Sequence, residues 1–259
     1  MSTNLEHRER AEVERSAAEA SHFDGLNLVS PGLARYLDPP ADTIYPLEYS
    51  FHLLGDVRGL TVLEYGCGDG ENTVALATRG AGRVLSLDIS PDLIEIARRR
   101  LAANRVGAEV EFVVGSAHDV PLPDESVDVV FGIAILHHLD LGLAAREVRR
   151  VLRRGGRAIF QEPVRSSPLL RAARKLIPYR HADVSPFERP LTDRELEQFA
   201  EGYTSFRSKS FLLPTTNVLN LLPLTRDHSA RWHRWDAALL RRLPALGYYA
   251  GIRVVEMVK

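Results

Sequence analysis

The stretch "VLEYGCGDGENT", Val62 to Thr73, sets Gly66, Gly68 and Gly70 within five residues, directly after an apolar run. "TVLEY" reads as a buried strand and "ENTVALATR" as the helix that follows, so the glycines fall on the turn between them. Glycine tolerates positive φ and leaves room for a ligand against the backbone, which makes such a turn a candidate binding loop. Downstream the pattern repeats. "RVLSLDI" is a second strand, and "SPDLIEIARRRLAANR" is a helix with Ser90 at its N-cap and Pro91 at its first position. "EVEFVVG" and "SVDVVFGIAIL" read as strands three and four, "LGLAAREVRRVLRR" as a helix closed by Gly155 and Gly156, and "RAIFQEP" as strand five. "LTDRELEQFAEG" opens a helix with a capping box formed by Thr192 and Glu195. "FRSKSFLL" and "GIRVVEMVK" supply the last two strands. This alternation predicts an α/β fold, a doubly wound, mostly parallel sheet of seven strands with helical lids.

The 259 residues fit a single domain, 1–259. Residues 1–59, a charged helix and the turn-rich "LDPPADTIYPLEYSF", form an N-terminal cover; 60–162 form the core; 163–259 form the other half, with a helical insertion at about 214–247. That insertion, which includes "NVLNLLPL" and "SARWHRWDAALLRRL", is too long for a plain loop. Apolar residues at 45% and charged residues at 26% are ordinary for a soluble globular chain. A net charge of −1 lacks the basic surplus that nucleic acid requires. No apolar run is long enough to span a membrane or act as a signal peptide, and the single cysteine, Cys67, allows no intrachain disulfide. The cytoplasm is the expected compartment. Oligomeric state leaves no mark in the sequence.

Two acids flank the glycine turn. Asp88 closes the second strand, where a carboxylate can accept both hydroxyls of a ribose. Glu64 stands two residues ahead of Gly66; a negative charge there opposes a pyrophosphate and suits an ammonium group. Glu71 occupies the place of the last glycine in the dinucleotide fingerprint, so the spacing argues against that class.

With "EYGCGDG", "LDIS", "GSAHDVPLPDESVDVVFGIAILHHL" and "VLRRGGRAIFQEP" in order, residues 60–160 resemble the class I S-adenosylmethionine-dependent methyltransferases. The resemblance implies S-adenosylmethionine as cofactor, with S-adenosylhomocysteine as product. It implies that Glu64 and the backbone of Tyr65, Gly66 and Gly68 hold the methionine part, that Asp88 takes the ribose and that Ile89 packs on the adenine. Where the family often has Asp, this chain has Ser116, whose hydroxyl and the Ala117 backbone are left for the adenine. Ile133 and Ala134 should lie near the methyl group.

The expected acceptor is a small molecule, and function at this level lives in the site rather than the fold. Candidate bases at the ends of strands four and five are His138, Glu162 and His137, although a His-His pair here also fits a structural role. The Arg-rich segment from Arg165 to Arg189, with Arg180 and His181, suits an anionic group on the acceptor, although scattered charge of this kind more often forms a solvated face. Tyr45 and Tyr49 are candidates to close over the site, and core packing competes with that reading. His228 and His233 fall on different helix faces, so no metal site is expected, and Trp232 and Trp235 read as packing of the cover. Apolar covers imply a partly apolar acceptor. O-methylation leads, followed by C- or N-methylation; a dinucleotide-dependent oxidoreductase and a non-catalytic cofactor-binding subunit are the competing classes.

Overall fold

The computed structural model describes residues 2–21, 30–175, 189–215 and 229–259. Its strands are β1 (Thr61–Tyr65), β2 (Arg83–Asp88), β3 (Glu109–Val114), β4 (Val127–Ile133), β5 (Leu152–Pro163), β6 (Ser205–Phe211) and β7 (Ile252–Val258). They form one sheet of seven strands in the order β3-β2-β1-β4-β5-β7-β6. β1 pairs in parallel with both β2 and β4, Val62 lying beside Val84 on one side and Val129 on the other. Only β7 runs against its neighbours, β5 and β6. The order reverses between β1 and β4, so the carboxyl ends of these strands open a crevice at that point, the usual position for a ligand in such sheets.

Alternation along the strands feeds two cores. Leu63, Leu85, Val130 and Phe160 pack against α6 (Leu141–Val151) and α8 (Asp193–Phe199). On the other face Val62, Val84, Val129, Phe131 and Ile159 meet α3 (Pro46–Leu54) and α4 (Glu71–Thr78). α5 (Pro91–Asn104) starts as expected, with the Ser90 side chain accepting from the Leu93 amide and Pro91 in the first turn. α8 carries the complete capping box of Thr192 and Glu195. Further helices are α1 (Ser2–Ser21), α2 (Ser30–Leu37), α7 (Pro168–Lys175) and α9 (Ser229–Arg242), with a 3-10 segment at Pro244–Tyr249. The predicted "NVLNLLPL" element lies outside the described residues. Among the described residues no helix is long and apolar enough to cross a membrane.

One boundary differs from expectation. α6 does not run on to Gly155 and Gly156; it ends at Val151, and Leu152 already belongs to β5, paired with Val127. Pairing with β4 overrides helix propensity in "LRRGG". A Cβ on Gly156 would stand 2.9 Å from the Asp128 carbonyl oxygen, so this glycine permits close approach to β4 rather than capping a helix.

The turn after β1 is fixed from α5. Gly70 has φ of 84° and an added Cβ would meet the Ala97 Cβ at 2.7 Å. Arg100, on the same helix and 1% exposed, reaches Asp69 at 2.6 Å and Glu71 at 2.8 Å. Gly70→Ala therefore combines an unfavourable φ with overpacking and should lower unfolding free energy by about 2 kcal/mol. Urea denaturation checks this; a variant as stable as the parent would contradict the close packing of turn on helix.

Candidate functional site

A cavity of about 290 Å³ opens at the switch point between β1 and β4, walled by Gly66, Gly68, Asp88, Ile89, Ser116, Ala117 and Ile133 and roofed by α1. Its floor is built by hydrogen bonds between the ends of β1 and β2. The amides of Gly66 and Cys67 both donate to the Leu87 carbonyl, at 3.0 and 2.9 Å. Asp88 Oδ2 accepts from the Gly68 amide and Oδ1 from the Ser90 amide, each at 2.9 Å. Burial raises the Asp88 carboxyl above its ordinary range, while these amides oppose the shift. Each oxygen keeps a lone pair for a further donor, so the side chain is oriented without being saturated.

Glu64 lies one step behind this wall, on β1. It is 1% exposed, and its Oε2 accepts from the hydroxyls of Thr73, at 2.5 Å, and Ser86, at 2.9 Å. Oε1 is buried with no hydrogen-bond partner among the described residues. Desolvation pushes the carboxyl up to about 8, and the hydroxyls only partly offset it. Glu64 therefore holds a proton at neutral pH until a cation comes to it, which corrects the expectation of a standing negative charge: burial keeps the carboxyl neutral in the free chain. Tyr65 turns its side chain away, into the core, where its hydroxyl donates to the Ala117 carbonyl.

The far end of the cavity, Gly115–His118, is shared with α1. Ser116 Oγ donates to Glu9 Oε1, and His118 Nδ1 lies 3.0 Å from the same oxygen. The Asp140 amide donates to His118 Nε2 at 2.9 Å, so the ring proton sits on Nδ1 and points at Glu9. Glu12 Oε1 lies 3.3 Å from His138 Nδ1. Glu9, Glu12 and His118 are absent from the sequence-derived candidates. Glu9 and Glu12 lie three apart and so share one helix face, a signal visible in the sequence; where that face docks is not.

The three candidate bases separate. His138 is on the cavity wall, whereas His137 and Glu162 are not. His137 is buried, with Nδ1 2.8 Å from Glu162 Oε2. Glu162 Oε1 accepts from the amides of Ile135 and Leu136, at 2.9 and 2.7 Å. The carboxylate thus clamps the turn after β4, in which Ala134 has a φ of 54°. Tyr45 and Tyr49 also stand off the cavity: Tyr45 lies against His233 and Arg35, and Tyr49 against Phe211 and the Lys209 ammonium. Arg180 and His181 lie outside the described residues. Arg189 is committed to Glu195 on α8. Trp232 and Trp235 meet edge to face on α9, but Trp235 is 59% exposed and so does not pack the cover as expected. Among the described residues no group of acids, histidines and cysteine is placed to hold a metal.

Two measurements follow from this geometry. Folded Glu64 keeps its proton to about pH 8, against an ordinary value of 4.5, so the folded state binds the extra proton between these limits and its stability falls as pH rises through that window. The thermal midpoint of Glu64→Gln, compared with the parent, should gain steadily from about pH 5 to about pH 8; a constant difference would contradict the buried proton. Glu162→Ala should cost about 3 kcal/mol, because it strands two amides and His137, and His138→Ala less than about 1. Denaturant titration of both variants decides whether Glu162 is a clamp.

Residues 63–160 match the family described as a methyltransferase domain. The chain is 38% identical over 230 residues to an uncharacterized 37.1 kDa protein in transposon Tn4556 of Streptomyces fradiae, covering 84% of this chain and 63% of that protein. It is 34% identical over 164 residues to a fatty-acid O-methyltransferase of Mycolicibacterium smegmatis, covering 62% of this chain and 52% of the other. The chain thus spans about half to two thirds of these relatives. A crystal structure of a Thermotoga maritima protein described as an S-adenosylmethionine-dependent methyltransferase, possibly acting on histamine nitrogen, shares the fold at a TM-score of 0.54. That match has 19% identity and covers 90% of this chain and 91% of that one.

Proposed function

We propose that the chain is a class I S-adenosylmethionine-dependent methyltransferase, in keeping with the methyltransferase domain matched over residues 63–160, and that it transfers the methyl group of this cofactor to a partly apolar small molecule, with oxygen the favoured acceptor atom. The observation that carries the reading is the cavity wall itself: Asp88 held by two amides beside Gly66 and Gly68, with the unpartnered Glu64 Oε1 behind them. A vicinal diol suits Asp88, and an ammonium group suits an orphaned buried carboxyl oxygen. The charge balance agrees. Glu9, Glu12, Glu19 and Asp88 face the cavity against Arg8 and Arg15, an excess of acid that favours a cationic cofactor over a dinucleotide pyrophosphate.

S-adenosylmethionine supplies a methyl group already activated by the sulfonium charge. The chain's own task is to align the acceptor and, for an acidic hydroxyl, to take its proton. His138 is the group on the wall suited to that step. Glu12 orients its ring through Nδ1, which leaves Nε2 for the acceptor. Ile133, Ile135 and Leu139 surround it with apolar surface, consistent with a partly apolar substrate. Glu162 and His137 support the turn that carries His138 and are not assigned to chemistry.

Calorimetry with S-adenosylhomocysteine and with NAD separates the two cofactor classes. Binding of the first only is expected, and Asp88→Ala should weaken it by about tenfold or more, the worth of a bond to a charged group. Tight NAD binding alone would contradict the reading. In a transfer assay with radiolabelled cofactor and a panel of phenols, carboxylic acids and amines, His138→Ala should lower turnover by about 10²-fold while leaving S-adenosylhomocysteine affinity nearly unchanged.

A further inference from the structure

Resting on that cofactor reading, we infer that Glu9, carried on the N-terminal helix, is the residue that reads the exocyclic amine of the adenine and discriminates it from a 6-oxo purine. The cavity end at Gly115–His118 is flanked by the apolar side chains Leu87, Ile89 and Leu93, which suit a flat heteroaromatic ring. Every side-chain proton at this end is already committed to Glu9. Ser116 Oγ gives its hydrogen to Glu9 Oε1 and itself accepts from the His118 amide at 3.0 Å. The Asp140 amide occupies His118 Nε2, which leaves the Nδ1 proton directed at the same Oε1.

Two donors thus converge on one oxygen of Glu9, and no donor among the described residues reaches Oε2. The side chain is fixed and oriented, yet keeps a charged acceptor on the cavity wall. What the side chains of Glu9 and Ser116 offer a ring edge here is acceptor capacity, beside the backbone of Ala117. An amine donates to it; a 6-oxo group in the same place sets oxygen against oxygen and leaves the half-buried Glu9 acceptor without a donor, which is the costly outcome. Because Glu9 belongs to α1 and Ser116 to the loop after β3, this recognition is assembled only when the helix is docked. α1 is then part of the cofactor site and not merely its cover.

The test compares S-adenosylhomocysteine with S-inosylhomocysteine, its 6-oxo analogue, by calorimetry on the full chain. The parent should prefer the amine by about tenfold or more. In Glu9→Gln an amide replaces the carboxylate and can donate as well as accept, so the preference should fall toward one; Glu9→Ala should lose it too, through weaker binding of the amine. A ratio unchanged in both variants, including an equal loss of affinity for both ligands, would overturn the role of Glu9 and leave the cofactor site standing. A parent chain that binds neither ligand would overturn the cofactor reading itself. Melting curves of both variants confirm that folded protein is being titrated.

Discussion

The site depends on one arrangement: the glycine turn leaving β1 is bound to the end of β2 and pressed onto α5. The Leu87 carbonyl takes the Gly66 and Cys67 amides, Asp88 takes the Gly68 amide, and Gly70 lies against Ala97 where no side chain could fit. Backbone hydrogen bonds fix the direction of the turn, and van der Waals contact fixes its height above the sheet. Arg100 secures the arrangement by joining the turn's own acids, Asp69 and Glu71, to the helix. A buried guanidinium is tolerable there because both partners are charged and close. The cavity exists because this turn is held away from the space above Asp88.

Electrostatics then select what enters. Glu64 and Asp88 both sit at high desolvation cost, and burial raises both carboxyls. A ligand bearing ammonium and hydroxyl groups relieves that cost, whereas a diphosphate would add to it. α1 contributes further acid through Glu9 and Glu12, which are anchored on Ser116 with His118 and on His138 respectively. The helix therefore contributes to the polarity of the cavity as well as closing it.

Much of this was legible in the sequence where chemistry is local. The strand, glycine turn and helix of residues 61–78, the Ser90 and Thr192 caps and the placing of Asp88 all follow from spacing that the chain itself enforces. What was not legible depended on distant partners. "VLRRGG" extends into β5 because Val127 is there to pair with Leu152. Glu162 and His137 face each other rather than the cavity, a preference set by the fold of the turn after β4. Tyr45 and Tyr49 were drawn to Arg35, His233, Lys209 and Phe211, none of them near in sequence except Arg35. Glu71 is informative twice, first by replacing a fingerprint glycine and then by pairing with Arg100.

The most direct measurement of the central claim is the number of protons released when S-adenosylhomocysteine binds at pH 7, obtained by calorimetry in buffers of different ionisation enthalpy. The free chain holds Glu64 protonated, with a value near 8, and an ammonium group seated against Oε1 would ionise it. Release approaching one proton, lost in Glu64→Gln, is the predicted result. Binding with no proton released, or with release unchanged in the variant, would contradict the placement of the ligand against Glu64 and with it this account of the cavity.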